Sequence, residues 1–250
     1  YAATEGARDK IKALRPSVSL EKIREMQKQV SEAKFYVETK GTPSFGGAKN
    51  IERHIELARK GAMLSMQMLL DIAGVLSSIM SLESYLTLPE KAPLLSVFRE
   101  QLKPNKFLRD KITTAIISEE LMADNASDKL YDIRRKIKTE SNRIREVLAK
   151  FTSGADSKYL QEHIVTTRSG RYVVPVKSEC KNDIPGLVHD VSATGSTYFI
   201  EPMSAVTANN ALRDLELKEK KEIERILAEF SAIVASHKDD LNQNSQILIQ

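Results

Sequence analysis

The sequence predicts a mainly α-helical protein: a helical core domain, then two long antiparallel helices with a small antiparallel β module inserted at their tip. Aromatic residues make up only 6% of the 250 residues, Trp is absent, and helix-forming residues dominate the composition. Apolar residues recur at helical spacing through most of the chain. The interval 159–201 differs, because β-branched residues and turn signals concentrate there. These observations predict the fold class and a division into residues 1–121, 122–158, 159–201 and 202–250.

Residues 1–121 are predicted to form the all-helical core domain. Ser19 is the expected N-cap of its second helix. The glycine-rich loop 41–47 is not followed by Gly-Lys-Ser/Thr, so it predicts a connector rather than a phosphate-binding loop. The helical patterns cover residues 2–14, 20–39, 51–59, 63–84 and 94–102.

Two long amphipathic patterns flank the β interval. The ascending lever helix is expected within 122–158, with its cap at 124–127 and apolar residues at spacings of three, four and seven. The descending lever helix, 202–250, has no Gly or Pro after Pro202 and would extend roughly 65 Å. Neither helix can bury its apolar stripe alone, so we predict an antiparallel coiled arm. Self-association of the descending helix is the alternative.

The β interval contains two hairpin patterns. The first surrounds the tetrapeptide RSGR at 168–171, whose central Ser-Gly pair is typical of a two-residue turn. The second surrounds the loop 192–196. Pro175 lacks a backbone N–H and therefore predicts an edge strand or a bulge. Together the strands predict a small β clamp over 159–201.

Basic residues concentrate in one quarter of the chain. Residues 121–181 contain thirteen Lys and Arg and eight Asp and Glu, although the net charge of the whole chain is only +4. This excess indicates either a surface that faces a polyanion or an ordinary solvated helix face. Charge alone does not decide between the two interpretations.

Residues able to carry chemistry form no catalytic or metal-binding pattern. The single Cys180 excludes a disulfide framework, and the four His residues lack metal-ligand spacing. His189 and Asp190 are neighbours on a predicted strand and point to opposite faces, which argues against a base and its orienting partner. No apolar stretch reaches the roughly 18 to 20 residues that span a bilayer. We therefore predict no catalytic, cofactor-binding or metal-ligating residue, and no membrane partner.

The candidate nucleic-acid-binding residues are basic side chains of the β module and of the ascending helix. Two arginines flank the Ser-Gly turn, and both are expected to project from the hairpin tip. Cationic side chains at a turn suit phosphate contacts, so the hypothesis is sequence-independent, salt-dependent binding of a nucleic-acid backbone. The full set is Arg168, Arg171, Lys177, Lys181, Arg143 and Arg145.

Two motifs resemble the MutS superfamily. They are RSGRYVVPVK at 168–177 and PGLVHDVSATGSTYFIEP at 185–202, with support from DNASDKLYDIR at 124–134 and NNALRDLELKEK at 209–220. The likeness is to the second bacterial branch, the MutS paralogue with a C-terminal Smr nuclease domain. It implies a helical core, two lever helices and a β clamp at their tip. It also makes the chain, which begins at Tyr1, part of a longer protein.

The resemblance further implies a function for the complete protein. Members of this branch dimerise, bind and hydrolyse ATP with magnesium in a domain that follows the lever, and carry endonuclease activity. The branch is associated with branched or recombination-intermediate DNA, with suppression of homologous recombination, and with rescue of stalled or collided ribosomes in the bacterial cytoplasm. No ATPase motif matches a position here, so ATP and magnesium are expected in the missing ATPase domain.

Two functions remain open for this stretch of sequence. In the first, the clamp grips the phosphates of duplex or branched DNA, or of ribosomal RNA. In the alternative, the arm is a dimerisation or ribosome-docking scaffold with no direct nucleic-acid contact. Neither makes this part of the protein an enzyme in itself.

Overall fold

The computed structural model describes residues 4–46, 48–88 and 90–249, and it confirms the mainly helical fold with a small antiparallel sheet. Residues 1–3, Gly47, Pro89 and Gln250 lie outside the described residues. They belong to the predicted core domain and, for Gln250, to the predicted descending lever helix. The helices are α1 (Glu5–Lys12), α2 (Leu20–Lys40), α3 (Glu52–Arg59), α4 (Met66–Tyr85), α5 (Pro93–Gln101), α6 (Lys106–Ala115), α7 (Asp128–Ser153), α8 (Met203–Ser236) and α9 (Lys238–Ile249). The strands are β1 (Thr166–Arg168), β2 (Arg171–Lys177), β3 (Gly186–Val191) and β4 (Thr197–Pro202). The chain forms two compact units, Tyr1–Ala126 with Glu224–Gln250, and Ser127–Ile223.

Helices α1, α2, α4 and α6 of the first unit begin where a short polar side chain caps them, whereas α3 and α5 have no side-chain cap. Ser19 Oγ accepts a hydrogen bond from the N–H of Lys22 at the start of α2, as predicted. Helix α6 was not predicted, yet its sequence carries the same signal. Asn105 Oδ1 accepts from the N–H of Leu108 at 2.9 Å, and Leu108 and Ile112 are then buried four residues apart.

Helix α4 supplies much of the core of the first unit. Its Leu69, Ile72 and Leu76 are completely buried. By length and composition α4 could cross a membrane, so the expectation that no such stretch exists is wrong. Because 44% of its apolar window is already buried inside the protein, core packing accounts for that hydrophobicity.

Asp71 joins α4 to the segment before α3. Its carboxylate accepts hydrogen bonds from Lys49 Nζ at 2.6 Å and Gln67 Nε2 at 2.7 Å, and His54 Nε2 lies 3.3 Å away. Burial alone raises the pKa of Asp71, but these hydrogen bonds outweigh it and hold the pKa below its usual value. The carboxylate therefore stays ionised and fixes three neighbours.

The descending segment is interrupted at His237. Ser236 Oγ donates to the carbonyl of Ile233 at 2.7 Å, and His237 Nδ1 lies 3.0 Å from the same oxygen. Side chains thus compete with the backbone for this acceptor, which ends α8 at Ser236.

Residues from Glu224 onward belong to the first unit. Phe230, Val234 and Leu241 are buried there, and buried Asn244 accepts from the N–H of Lys103 at 2.9 Å. The predicted descending helix over 202–250 is thus interrupted at His237, and the apolar stripe of its second half packs into a helical core. The proposed domain boundaries stay predictions.

In the second unit, α7 and α8 run antiparallel. Ser127 Oγ donates to Glu222 at 3.0 Å, and Arg134 Nε donates to Glu219 at 2.6 Å. Residue numbers rise along α7 as they fall along α8, which gives the predicted direction. Ser127 Oγ also accepts from the N–H of Leu130, so it caps α7 inside the predicted interval.

The sheet packs on this helix pair. Its strand order is β1-β2-β4-β3, and all neighbours are antiparallel. Val174 and Ile200 share a buried cluster with Ile144 and Leu148 of α7 and Leu212 of α8. The β clamp therefore has its core on the arm rather than within the sheet alone.

Pro175 occupies an inner strand, so the predicted edge position or bulge is wrong. It pairs with Phe199 of β4, whereas β1 pairs with β2 only as far as Val173. The N–H and C=O of one strand residue point to the same side, and the Pro175 carbonyl accepts from Gln161 on the side away from β4. The missing N–H thus falls where the ladder to β1 has ended.

Candidate nucleic-acid interface

Strand β2 begins at Arg171, whose guanidinium is bound inside the second unit. Arg171 Nη1 donates to both carboxylate oxygens of Glu201, at 2.8 and 3.1 Å, and Nη2 donates to Asn210 Oδ1 at 2.7 Å. Glu201 is completely buried, and His189 Nε2 lies 2.5 Å from its Oε2. A buried carboxylate is unfavourable without partners, so Glu201 holds Arg171 in place.

Arg168 precedes the two-residue turn and is also bound. Its Nε lies 3.3 Å from Asp190 Oδ2, and its Nη1 donates to the carbonyl of Thr167 at 2.9 Å. The guanidinium carbon lies 3.9 Å from the centroid of the Phe199 ring, a close cation–π contact.

The β1–β2 hairpin lies against α8. Tyr172 N–H donates to Asn209 Oδ1, and Asn209 Nδ2 donates back to the Tyr172 carbonyl, both at 3.1 Å. Asn209 is 2% exposed. Together with the bond from Arg171 to Asn210, this pair fastens the beginning of β2 to the first turns of α8.

The expectation that Arg168 and Arg171 project freely from the hairpin tip is therefore wrong. The buried Glu201 neutralises Arg171, the exposed Asp190 and the Phe199 ring hold Arg168 against the sheet, and the hairpin is fastened to a helix. Glu201 is 30 residues from Arg171 in the chain, so only the strand order brings the two together.

The opposite end of β2 carries three lysines that we call the lysine end: Lys158, Lys177 and Lys181. Lys177 Nζ donates to the carbonyl of Lys158 at 3.0 Å, and Lys181 follows the 3₁₀ turn Ser178–Cys180 directly. Lys158 and Lys181 are exposed and Lys177 is half-buried. Within the described residues, no acidic side chain forms an ion pair with any of the three. Their charge is available to solvent or to a ligand.

The loop 192–196, here called the hydroxyl loop, closes the same end of the sheet. Ser178 N–H donates to the Ser196 carbonyl at 3.0 Å, which sets the loop beside the lysine end. The hydroxyls of Ser192, Thr194 and Ser196 follow one another at 3.4 and 2.8 Å. Gly195 has a φ of 71°, which glycine adopts without strain. Such hydroxyls can donate to an anion beside the lysines.

Arg143 and Arg145 lie on different sides of α7, because two residues correspond to about 200° of helix rotation. Arg143 is 69% exposed and lies 3.8 Å from Glu140. The guanidinium carbon of Arg145 lies 5.6 Å from the centroid of the Tyr172 ring, beside the β1–β2 hairpin. The structure therefore does not combine the two arginines into one site.

Cations cover the aromatic rings of the β module. Lys158 Nζ lies 4.8 Å from the Tyr159 centroid and Lys181 Nζ lies 4.7 Å from that of Tyr198, in addition to Arg168 over Phe199. One face of each ring is therefore occupied. This arrangement favours phosphate contacts over the stacking of unpaired bases.

Sequence reasoning missed Lys158 and the hydroxyl loop as site residues. It included Lys177 and Lys181 in the basic set, which stays a prediction, and it treated 192–196 only as a hairpin turn. The signal that could have found it is the density of hydroxyls in SATGS, three residues of which carry a side chain that can donate a hydrogen bond to an anion.

Among the described residues, no group of three or more His, Cys, Asp or Glu side chains could hold a metal ion. His54 and His189 each face a single carboxylate, that of Asp71 or Glu201. The ammonium groups of the lysine end and the hydroxyls of the hydroxyl loop are donors suited to anions.

The chain combines a helical unit, an antiparallel helix pair and a sheet with a cationic end, the elements that the resemblance of its motifs to the MutS superfamily leads us to expect. No family model matches the chain. Endonuclease MutS2 of Clostridium beijerinckii is 40% identical over 253 aligned residues, covering 100% of the chain and 32% of that relative. Endonuclease MutS2 of Clostridium perfringens is 40% identical with the same coverage, and that of Alkaliphilus oremlandii is 39% identical over 245 residues, 96% of the chain and 31% of the relative.

The chain belongs to the MutS2 family. It spans about a third of the length of the curated relatives it matches.

Proposed function

We propose that this chain is the part of a MutS2-type endonuclease that grips the backbone of duplex DNA, and that the lysine end and the hydroxyl loop form the grip. One observation carries the proposal: Lys158, Lys177 and Lys181 lie near the same end of β2 without acidic partners among the described residues, while Arg171 at the other end is bound to the buried Glu201. Ammonium groups attract phosphates as point charges and release counterions on binding. The contact carries no sequence information.

The substrate follows from the same contacts and from the relatives. The relatives are named endonucleases, so their substrate is a nucleic acid. Backbone contacts without base stacking suit double-stranded regions, as in branched or recombination-intermediate DNA, and action there would suppress homologous recombination. We place this work in the bacterial cytoplasm. ATP binding with magnesium and the nuclease chemistry would belong to parts of the longer relatives outside this chain.

The test is fluorescence anisotropy of a labelled duplex and a labelled four-way junction over a salt series. The variant Lys158→Gln/Lys177→Gln/Lys181→Gln should bind at least about tenfold more weakly at ~0.1 M salt, and its salt slope should fall by about 2 to 3. The control, Lys22→Gln/Arg24→Gln/Lys28→Gln, removes the same charge from exposed positions of α2. Equal slopes for both variants would refute the grip.

A second candidate, a dimerisation or ribosome-docking scaffold, is favoured by the edge strand β3. Leu187, Val188 and Val191 are 47%, 42% and 41% exposed there. Exposed apolar residues on an edge strand suit a protein partner. Sedimentation of the chain alone and with ribosomes measures this directly. A dimer or a ribosome complex that forms without any affinity for DNA would select the scaffold.

A further inference from the structure

Four basic residues recur on α7 at intervals of seven: Lys129, Lys136, Arg143 and Lys150. Seven residues fall about 20° short of two full helical turns, so the four side chains form one slowly drifting stripe. At ~1.5 Å per residue, neighbours stand about 10.5 Å apart and the stripe is about 31 Å long. We call it the α7 stripe.

The α7 stripe lies on the flank of the helix, about 100° of rotation from its buried side. That side carries Leu130, Ile133, Ile144 and Leu148, all buried. Lys136 and Lys150, by contrast, are exposed. The stripe is therefore not needed for packing.

The four cations of the stripe differ in how far acidic side chains neutralise them. Lys129 is 69% exposed and lies 3.0 Å from Glu222, and Arg143 lies 3.8 Å from Glu140. Lys136 and Lys150 form no ion pair within the described residues. The Arg143 pair lies mostly in solvent and separates readily, whereas the buried carboxylate of Glu222 holds Lys129. Lys136, Arg143 and Lys150 can therefore offer their charge to a ligand.

An open groove of about 560 Å³ runs between α7 and α8 beside the stripe. Three cations line it and two acids oppose them, so the groove is positive in balance. Its lining is Arg135, Lys136, Thr139, Glu140, Ala211, Asp214, Leu215 and Lys218.

The stripe leads towards the lysine end. Helix α7 ends at Ser153, three residues after Lys150, and Lys158 follows in the 3₁₀ turn Ala155–Tyr159. The two surfaces have the same sign of charge and are joined by a few residues of chain. A polyanion held at the lysine end can therefore continue along α7.

We propose that the α7 stripe is a second phosphate-binding surface, along which duplex DNA lies after the lysine end has gripped it. The proposal rests on the proposed function and extends it by giving the bound duplex a direction and a length. A stripe of about 31 Å corresponds to about nine base pairs at 3.4 Å each. The stripe adds affinity for longer duplexes, without reading their sequence.

The experiment compares two variants of the whole chain on duplexes of 12, 18, 24 and 30 base pairs. The stripe variant is Lys136→Gln/Arg143→Gln/Lys150→Gln. The control variant is Lys138→Gln/Lys220→Gln/Lys221→Gln. It removes equal charge from exposed positions of α7 and α8 that lie outside the stripe. Circular dichroism melting curves confirm that both remain folded, and Lys136→Glu/Lys150→Glu should give a larger effect in the same direction.

On the 24-base-pair duplex, the stripe variant should bind about tenfold more weakly and lose about 2 to 3 from its salt slope. Its affinity should stop rising with length about nine base pairs earlier than that of the unmodified chain. If it matches the control in slope and length dependence while the lysine-end variant is defective, the inference alone fails. The proposed function fails as well if the unmodified chain binds no DNA, or if both the stripe variant and the lysine-end variant bind DNA as the unmodified chain does.

Discussion

Strand β2 begins at Arg171 and ends at Lys177, six residues apart, and both side chains are cationic. Arg171 is 26% exposed and donates twice to the completely buried Glu201. Lys177 donates to a backbone carbonyl, that of Lys158, and has no acidic partner within the described residues. The buried carboxylate lies at only one end of β2, so the cation at that end is bound internally and the cation at the other end is free to bind a ligand.

The chemistry of the two side chains fits this division. A guanidinium presents several N–H donors in one plane and can hold a carboxylate and an amide together, as Arg171 does with Glu201 and Asn210. An ammonium group is compact and strongly hydrated, and it moves on a flexible stem. Arginine thus suits the fastened end of the sheet, and lysine suits the end that meets a polyphosphate.

The largest expected effect breaks the fastened end. Glu201→Ala leaves Arg171 and His189 without their shared acceptor, and we expect the second unit to lose about 3 kcal/mol of unfolding free energy. Hydrogen exchange of the β2 and β4 amides measures this. Glu179→Ala, an exposed control, should change it by less than about 0.5 kcal/mol. Equal protection in both variants would show that Glu201 does not organise the sheet.

The next effect separates the attachment to α8 from the ion pair. Asn209→Ala removes the two hydrogen bonds with the backbone of Tyr172 and leaves its N–H and C=O without these partners, so we expect a loss of about 2 kcal/mol. Asn210→Ala removes one bond from an exposed residue and should lose about 1 kcal/mol or less. Urea unfolding gives both values. Similar losses of unfolding free energy in the two variants would mean that the hydrogen bonds from Asn209 to the Tyr172 backbone stabilise the fold no more than the single bond to Asn210 does.

A third prediction addresses the hydroxyl loop. Gly195 has positive φ and open space around the position of a Cβ, so Gly195→Ala should lose about 1 kcal/mol through backbone strain alone. Gly195→Asn should recover part of the loss, since Asn tolerates this conformation better. Gly46→Ala, where φ is not positive, serves as the control. Thermal melting that ranks Ala no worse than Asn would contradict the strain argument.

The fold was more predictable from the sequence than the site, for a physical reason. Periodicity and caps are local, so Ser19 and the 3.6-residue spacing of α7 sufficed to place helices. The neutralisation of Arg171 depends on the strand order, which brings Glu201 across from 30 residues away. The same limit concealed the return of α9 to the helical core, because the burial of Asn244 depends on a partner at Lys103.

The smallest expected effect on stability is at the lysine end, and it gives the sharpest contrast with Arg171. Lys177→Gln/Lys181→Gln should change the unfolding free energy by less than about 0.5 kcal/mol, because removing either ammonium leaves no buried carboxylate without a partner. The same variant should lower the salt slope of DNA binding by about 1 to 2.

Arg171→Gln is the matched opposite. It should reduce stability by about 2 to 3 kcal/mol, because Glu201 is then left buried without its main partner, and at temperatures where the variant is folded its salt slope should equal that of the unmodified chain. Stability from urea unfolding and salt slopes from anisotropy give both halves of the comparison. A change in salt slope for Arg171→Gln, or a loss of stability for the lysine variant, would mean that the two ends of β2 do not divide their roles in this way.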